Sequence, residues 1–559
     1  MENNDEMNEF IEEMPYIDED FDLNNISFNK SFEYIMNNYD KVCRETNDGG
    51  KKEDWSEDNK NFFDFFVSVF PTYLKEVSKE ISDNFIITKS HKYAKLLVLP
   101  FYGISFKDNE DFLIYYLFSY DLSTIYLTLA LKVGGKEIDI SKIRGKFRKL
   151  ILDSYDSTPS PDFRIIDENF INLKVKEIYE TQNLSNGEKD RLYRQLENAE
   201  NYENAIIFSK KYEKGHFPSD DEFKDDLNQF LKLYNFIKDE SIYDKVNDFE
   251  FKHNLIYFGA PGTGKSFKLD EDKKCLINDE SCFERVTFHP DYSYANFVGA
   301  YKPISDDNKD IIYDFVDGPF MRILKEAIKK ENHNKNYLLL IEEINRANVA
   351  AVFGDVFQLL DRDETNCSRY DIDVSREVRN SLGEKKIKIP SNMYIWATMN
   401  SADQGVFPMD TAFKRRWDFN YLDINNNQKL ISSLKFKLNG KCYYWNILRK
   451  AINHELLREN INEDKLIGPF FAFNEYIGKE VIPTLEFKEI FKNKVLMYLF
   501  EDVLKSRSNK LFSGIGNKNL TFGELCREFD EYGLDIFSDY ISNCEKIKVN
   551  ESNEEVVED

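Results

Sequence analysis

Gly259-Ala260-Pro261-Gly262-Thr263-Gly264-Lys265-Ser266 satisfies the pattern G-x-x-x-x-G-K-[ST] at every position. It directly follows the apolar run Leu255–Phe258, which reads as a short buried strand, and it opens a helical stretch. A strand, a tight glycine turn and a helix in that order commit the surrounding chain to a parallel sheet, with the turn at the carboxyl edge. There the glycines let backbone N–H groups close around phosphates, and the helix N-terminus adds a favourable dipole. All eight residues are candidate nucleotide contacts. Lys265 would reach the β- and γ-phosphates, and the Ser266 hydroxyl would ligate Mg²⁺. A glycine turn with a surface lysine, the plain alternative, leaves the strand context and the acids downstream without a role.

Those acids close the buried run Tyr337–Ile341 as Glu342-Glu343. An apolar strand ending in two carboxylates delivers them beside the phosphates. Glu342 would hold Mg²⁺ through water, and Glu343 would orient or deprotonate the attacking water. A third buried run, Met393–Thr398, leads into Asn400 and Asp403. Asn400 would touch the γ-phosphate or the lytic water, and Asp403 would position either of these or a neighbouring subunit's arginine. Further on, Arg415 and Arg416 end a short helix. They fit either capping of the helix dipole, worth about 0.3–1 kcal/mol, or an arginine finger supplied across a subunit interface. Continuous apolar strands separated by helices predict an α/β fold with a parallel sheet covered on both faces.

At 559 residues the chain exceeds one ordinary core, and 42% apolar residues suffice for several. The net charge is 75 − 101 = −26, which argues against coating nucleic acid through bulk charge while leaving room for a local basic face. The seven cysteines are scattered and never form a C-x-x-C pair, so neither a disulfide framework nor a zinc site is expected. The acidic start excludes a secretory signal, and the apolar runs are too short to span a bilayer. A soluble cytoplasmic protein is the expectation. The predicted organisation is an acidic mobile lead over 1–50 and an α+β domain over 51–243. A large α/β subdomain over 250–422, a helical lid over 423–525 and a C-terminal segment with an acidic tail over 526–559 follow. Within the second region, Asn61–Lys79, Ile140–Asp153, Asp167–Asn183 and Asp220–Lys238 read as helices. Ala94–Phe101, Phe112–Ser119 and Ser123–Leu131 read as strands, the last two as a hairpin.

Lys136, Lys142, Arg144, Lys146, Arg148 and Lys149 form a basic run just after that hairpin, with Tyr93, Phe101, Tyr102, Tyr115 and Tyr126 around it. Cations flanking an aromatic pocket suit a flipped base and its phosphates. Charge runs also form ordinary solvated helix faces, and alternating aromatics ordinarily form core. The triplets Glu486-Phe487-Lys488 and Glu463-Asp464-Lys465 match D/E-x-K but fall in the helical lid, so no nuclease site is assigned.

Taken in order, GAPGTGKS, TFHPDYSYANFVGAYKP, LLLIEEINRAN, ATMNSADQG, TAFKRRW and, in the lid, KLIGPFF resemble the McrB family of AAA+ proteins. More loosely, Leu99-Pro100-Phe101, Tyr116–Asp121, Ile125–Leu129 and Glu203–Tyr234 are similar to the strands and closing helices of an MrcB-like recognition domain, with Phe101 where tryptophan is expected. The resemblance implies a P-loop module with a small helical lid. It further implies GTP as fuel with ATP as the alternative, hexameric rings with active sites between subunits, and a separate McrC-like endonuclease partner. Double-stranded DNA, often carrying methylcytosine, is the implied target. An ATP-driven remodelling protein of the MoxR kind and a nucleotide-gated DNA-binding switch are the competing expectations.

Overall fold

The computed structural model describes residues 27–46, 56–79, 85–89, 101–106, 111–132, 140–155, 202–237, 245–246, 248–277, 279–305, 311–329, 335–373, 385–401, 405–477, 479–504, 511–515 and 521–543, with single positions 173, 189, 196, 379 and 382. The chain divides into two compact units, Met1–Glu250 with Lys274–Asn278, and Phe251–Lys273 with Asp279–Asp559. Among the described residues no helix is long and apolar enough to cross a membrane.

The first unit is an antiparallel sheet with helices. Helix α1 (Phe28–Thr46) is followed by α2 (Glu57–Asp64), which runs through a π-helical turn, Phe65–Val69, into α3 (Phe70–Lys79). Strands β1 (Phe85–Lys89), β2 (Phe101–Phe106), β3 (Phe112–Phe118), β4 (Thr124–Leu131) and β5 (Ile206–Glu213) lie in chain order. Helix α4 (Ile140–Tyr155) separates β4 from β5, and α5 (Asp220–Ile237) closes the unit. Strand β3 is buried at every position, which requires cover on both faces of the sheet. One cover is aromatic: Phe28 and Phe32 of α1 pack on Tyr116 of β3, on Phe70 of α3 and on Phe223 of α5. Each such ring taken from water contributes about 1.5–3 kcal/mol.

That packing corrects the expected mobile lead. Residues 28–46 form a helix because Phe28, Phe32, Ile35, Met36 and Tyr39 recur at helical spacing and find a core to enter. A second correction concerns Glu203–Tyr234, expected as closing helices. Its first half is strand β5, whose run Ile206-Ile207-Phe208 carries the β-branched and aromatic residues that suit a pleated, buried surface. The hairpin between β3 and β4 is as expected, with Phe112 opposite Leu131. The expected strand Ala94–Phe101 meets the structure only at Phe101, where β2 begins. Apart from Leu173, the expected helix Asp167–Asn183 lies outside the described residues.

The second unit holds a five-stranded parallel sheet. Its members are β6 (Asn254–Gly259), β7 (Phe283–Thr287), β10 (Tyr337–Glu342), β11 (Met393–Asn400) and β12 (Asp418–Tyr421), in the spatial order β12-β6-β11-β10-β7. The hairpin β8 (Gly299–Ser305) and β9 (Ile311–Asp317) interrupts the alternation. Helix α6 (Lys265–Leu276) follows β6, α7 (Pro319–Ile328) precedes β10, and α8 (Thr411–Lys414) precedes β12. Leu338, Leu339, Leu340 and Ile341 are fully buried, as a central strand of a doubly covered sheet demands.

Beyond Leu422 lies the lid. It has helix α9 (Trp445–Arg458), helix α10 (Thr484–Ile490) continuing as π-helical turns to Leu504, and helix α11 (Phe522–Tyr532). A small sheet of β13 (Lys435–Leu438), β14 (Lys441–Tyr444) and β15 (Val481–Ile482) adds strands that the helical reading did not include. Phe529, Leu534, Ile536, Phe537 and Ile541 share one core with Trp445, Phe487 and Phe491. The lid core therefore runs on past the expected boundary at 525.

Candidate active site

Strand β6 sits between β11 and β12, so its carboxyl end opens among three strand termini, with Gly259 opposite Asn400. The turn that follows needs glycine: φ is +75° at Gly262 and +88° at Gly264, in the region where side chains are strained. Thr263 ties the turn together, its hydroxyl donating to the Ala260 carbonyl at 2.9 Å. Lys265, the first residue of α6, is buried with its ammonium over the loop, donating to the carbonyls of Gly259 at 3.1 Å and Ala260 at 2.9 Å. A left-handed loop at a helix N-terminus, with a lysine folded across it, is the donor set a polyphosphate requires.

The carboxylates arrive from β10, which lies one strand beyond β6, on the far side of β11. Glu342 ends β10, and its Oε2 accepts from the Ser266 hydroxyl at 3.1 Å and from the Thr398 hydroxyl at 2.5 Å. The loop helix and the acidic strand are thus joined at the pair of oxygens expected to hold Mg²⁺. Glu343 turns the chain with φ +55°, a left-handed conformation costing about 1–3 kcal/mol in a non-glycine residue. Its N–H donates to the Thr398 hydroxyl at 3.2 Å. Thr398 therefore accepts from one glutamate's backbone and donates to the other's carboxylate, using both capacities of its hydroxyl.

Asn400 has a defined partner. Its Nδ2 donates to Glu343 Oε1 at 2.6 Å, while Arg346 Nε lies 3.5 Å from Glu343 Oε2. Asn345, buried behind them, donates from Nδ2 to the Asn400 carbonyl at 2.8 Å, and its backbone carbonyl accepts from the Phe407 N–H. Thus Asn400 aims the carboxylate expected to act on water. Sequence reasoning assigned no role to Thr398, Asn345 or Arg346. The usable signal was their position: Thr398 lies two residues before Asn400, on the same face of a strand. Asp403 lies outside the described residues.

The arginine pair divides. Arg416 is spent inside the unit: it pairs with Asp361 at 2.7 Å, donates to the Ala412 carbonyl at 2.6 Å, and lies 4.1 Å from the centroid of the Phe357 ring. A guanidinium so held is engaged within its own unit rather than extended toward a neighbour. Arg415, next to it at the end of α8, is exposed.

The basic run fares worse. Arg144, Arg148 and Lys149 are buried in α4, whose spacing turns these positions onto the packing face. Arg148 donates to the Ile207 carbonyl at 2.8 Å and sits over Phe208, and Lys149 pairs with Asp153 at 2.6 Å. These three cations are engaged within the fold rather than presented at its surface. Lys146 is partly exposed, the Lys142 side chain is not among those described, and Lys136 lies outside the described residues. Tyr102, Tyr115 and Tyr126 are core residues, and the Tyr102 hydroxyl donates to the Phe66 carbonyl in the π turn. Elsewhere in this unit a cleft of about 600 Å³ lies between β5 and α5. Glu213, Glu222, Asp225 and Asp226 line it beside Lys210 and Lys211, a balance unfavourable to phosphate.

Comparison with known proteins accords with this geometry. The AAA domain (dynein-related subfamily) is matched over residues 254–417, and the MrcB-like N-terminal domain over residues 50–239. The chain is 42% identical over 308 residues to the type II restriction enzyme BsuMI component YdiS of Bacillus subtilis (strain 168), covering 50% of this chain and 85% of that protein. It is 30% identical over 304 residues to the type IV methyl-directed restriction enzyme EcoKMcrB subunit of Escherichia coli (strain K12), covering 49% of this chain and 61% of the relative. A solved structure from Cytophaga hutchinsonii, described as a putative ATPase, matches 49% of this chain and 84% of that chain at 15% identity with a TM-score of 0.20, too slight a likeness to bear on the fold. With its AAA domain, a nucleoside triphosphate hydrolase module, set behind an MrcB-like domain, the chain belongs to the McrB family of restriction-enzyme subunits.

Proposed function

We propose that this chain is the GTP-hydrolysing motor and DNA-recognition subunit of a modification-dependent restriction complex. It works as a hexameric ring in the cytoplasm and activates a separate McrC-like endonuclease. The observation that carries the hydrolytic reading is the continuous hydrogen-bonded path Ser266–Glu342–Thr398–Glu343–Asn400 beside the glycine loop. Backbone N–H groups of residues 262–266 and the Lys265 ammonium bind the phosphates. Mg²⁺, held by the Ser266 hydroxyl and through water by Glu342, would neutralise charge on the β- and γ-phosphates. Glu343, aimed by Asn400, takes the proton of the attacking water. The exposed Arg415 is the cation we assign to the neighbouring subunit's site, and Asp403 is kept as its positioning partner.

Support for DNA recognition is the MrcB-like match and the description of the Escherichia coli relative as methyl-directed. Turnover with GTP competed against ATP tests the fuel. Preference for ATP would move the protein to the remodelling class. Binding of the full chain to methylated and unmethylated duplexes over a salt series tests the target. A methyl-dependent gap means base readout, and equal affinity with a steep salt slope means phosphate contact alone.

A further inference from the structure

The lid is hydrogen-bonded to the phosphate loop, backbone to backbone. Gly468 N–H donates to the Pro261 carbonyl at 3.0 Å, and Phe470 N–H donates to the Gly262 carbonyl at 2.8 Å. The approach tolerates no side chain. A Cβ on Gly468 would lie 2.2 Å from the Gly262 carbonyl carbon, and one on Gly262 would lie 2.5 Å from Phe471 backbone atoms. These bonds have a directional consequence. In a planar trans peptide the C=O and the following N–H point in opposite directions. A lid that holds the carbonyls of Pro261 and Gly262 outward therefore turns the N–H groups of Gly262 and Thr263 toward the interior of the loop, where phosphate oxygens would be bound.

The lid segment is itself clamped. Asn453 of α9 accepts from the Ile467 N–H at 2.9 Å through Oδ1 and donates to the Ile467 carbonyl at 2.9 Å through Nδ2. Arg449, one turn earlier and fully buried, donates to the same carbonyl at 3.0 Å. It also donates to the Ile424 carbonyl at 3.1 Å and Asn425 Oδ1 at 2.9 Å, on the crossover that leads from β12 into the lid, and to Asn446 Oδ1. Every donor of the guanidinium is used. Burial pulls its pKa down to about 10, with Asp423 opposing, so it stays charged at neutral pH.

We propose that Arg449 and Asn453 are positioning residues for nucleotide binding, acting through Ile467 and Gly468 to hold the phosphate-loop carbonyls outward and its N–H groups inward. The proposal rests on the hydrolase reading and adds to it a device: the crossover, the lid and the loop are locked through one buried guanidinium and one amide. Nucleotide affinity and lid placement are then linked, because whatever loosens the lid segment also releases the donors that face the phosphates.

Two variants of the full chain test this, Gly468→Ala and Asn453→Asp. The second keeps the acceptor for the Ile467 N–H and replaces the donor to its carbonyl with a repelling oxygen. Affinity is measured by titration with a fluorescent guanosine triphosphate and, separately, with inorganic tripolyphosphate, alongside steady-state turnover and thermal unfolding. We expect Gly468→Ala to weaken both ligands by roughly tenfold or more and Asn453→Asp by about three- to tenfold. KM should rise, with kcat within about twofold of wild type. Unchanged affinity in folded variants overturns the proposal. So does a loss confined to the nucleotide with tripolyphosphate unaffected, since that places the effect at the base. Should Gly468→Ala not fold, Asn453→Asp decides alone. Wild-type protein that binds neither ligand removes the hydrolase reading itself, and the proposal with it.

Discussion

Two polar clusters that look alike in one dimension have opposite fates in this molecule. At the carboxyl edge of the parallel sheet, Ser266, Glu342, Glu343, Thr398 and Asn400 converge within hydrogen-bonding distance of one another. On α4, Arg144, Arg148 and Lys149 are drawn into the fold. The difference lies in what each element makes predictable. Parallel strands in register end side by side, so polar residues that follow three apolar strands must meet. A helix presents its faces according to what packs on it. Cations spaced at 144 and 148 share whichever face that is.

The contrast can be broken at the sheet edge first. Lys265→Ala should abolish measurable nucleotide binding, a loss of about a hundredfold or more in a direct titration. Glu343→Ala should leave affinity within a few-fold and lower turnover by about 10²–10⁴, and retained hydrolysis by the purified variant would end its catalytic assignment. Arg415→Ala should cut turnover by about a thousandfold in assembled rings while sparing the unfolding midpoint. Arg416→Ala, by contrast, should lower that midpoint by a few degrees as the Asp361 pair and the Phe357 stack are lost. Equal rate losses in isolated monomers for Arg415→Ala would make it structural. Thr398→Val should slow turnover about tenfold, because both glutamates lose a shared anchor. The smallest effect belongs to α4. Arg148→Ala should cost the N-terminal unit about 1–3 kcal/mol and leave the salt slope of DNA binding unchanged; a shallower slope would return this arginine to the DNA surface.

Gly259–Ser266, Glu342 and Glu343 were legible from residue order alone because the glycine loop and the acid pair each terminate an apolar run, and a buried strand can release polar groups only at its ends. The alternation of those runs with helices likewise dictated a parallel sheet. Residue order could not separate Arg415 from Arg416, since adjacent side chains on a short helix diverge and only the Asp361 and Phe357 neighbours decide which one is consumed. The helical lead Phe28–Thr46 was masked by the acidic stretch before it, and its amphipathic face acquires meaning only against Tyr116, Phe70 and Phe223. The lid's grip on the loop through Gly468 and Phe470 was invisible for a deeper reason. Backbone hydrogen bonds between segments some 200 residues apart leave no side-chain signature, so only the packed chain brings Ile467, Arg449 and the phosphate loop into one device.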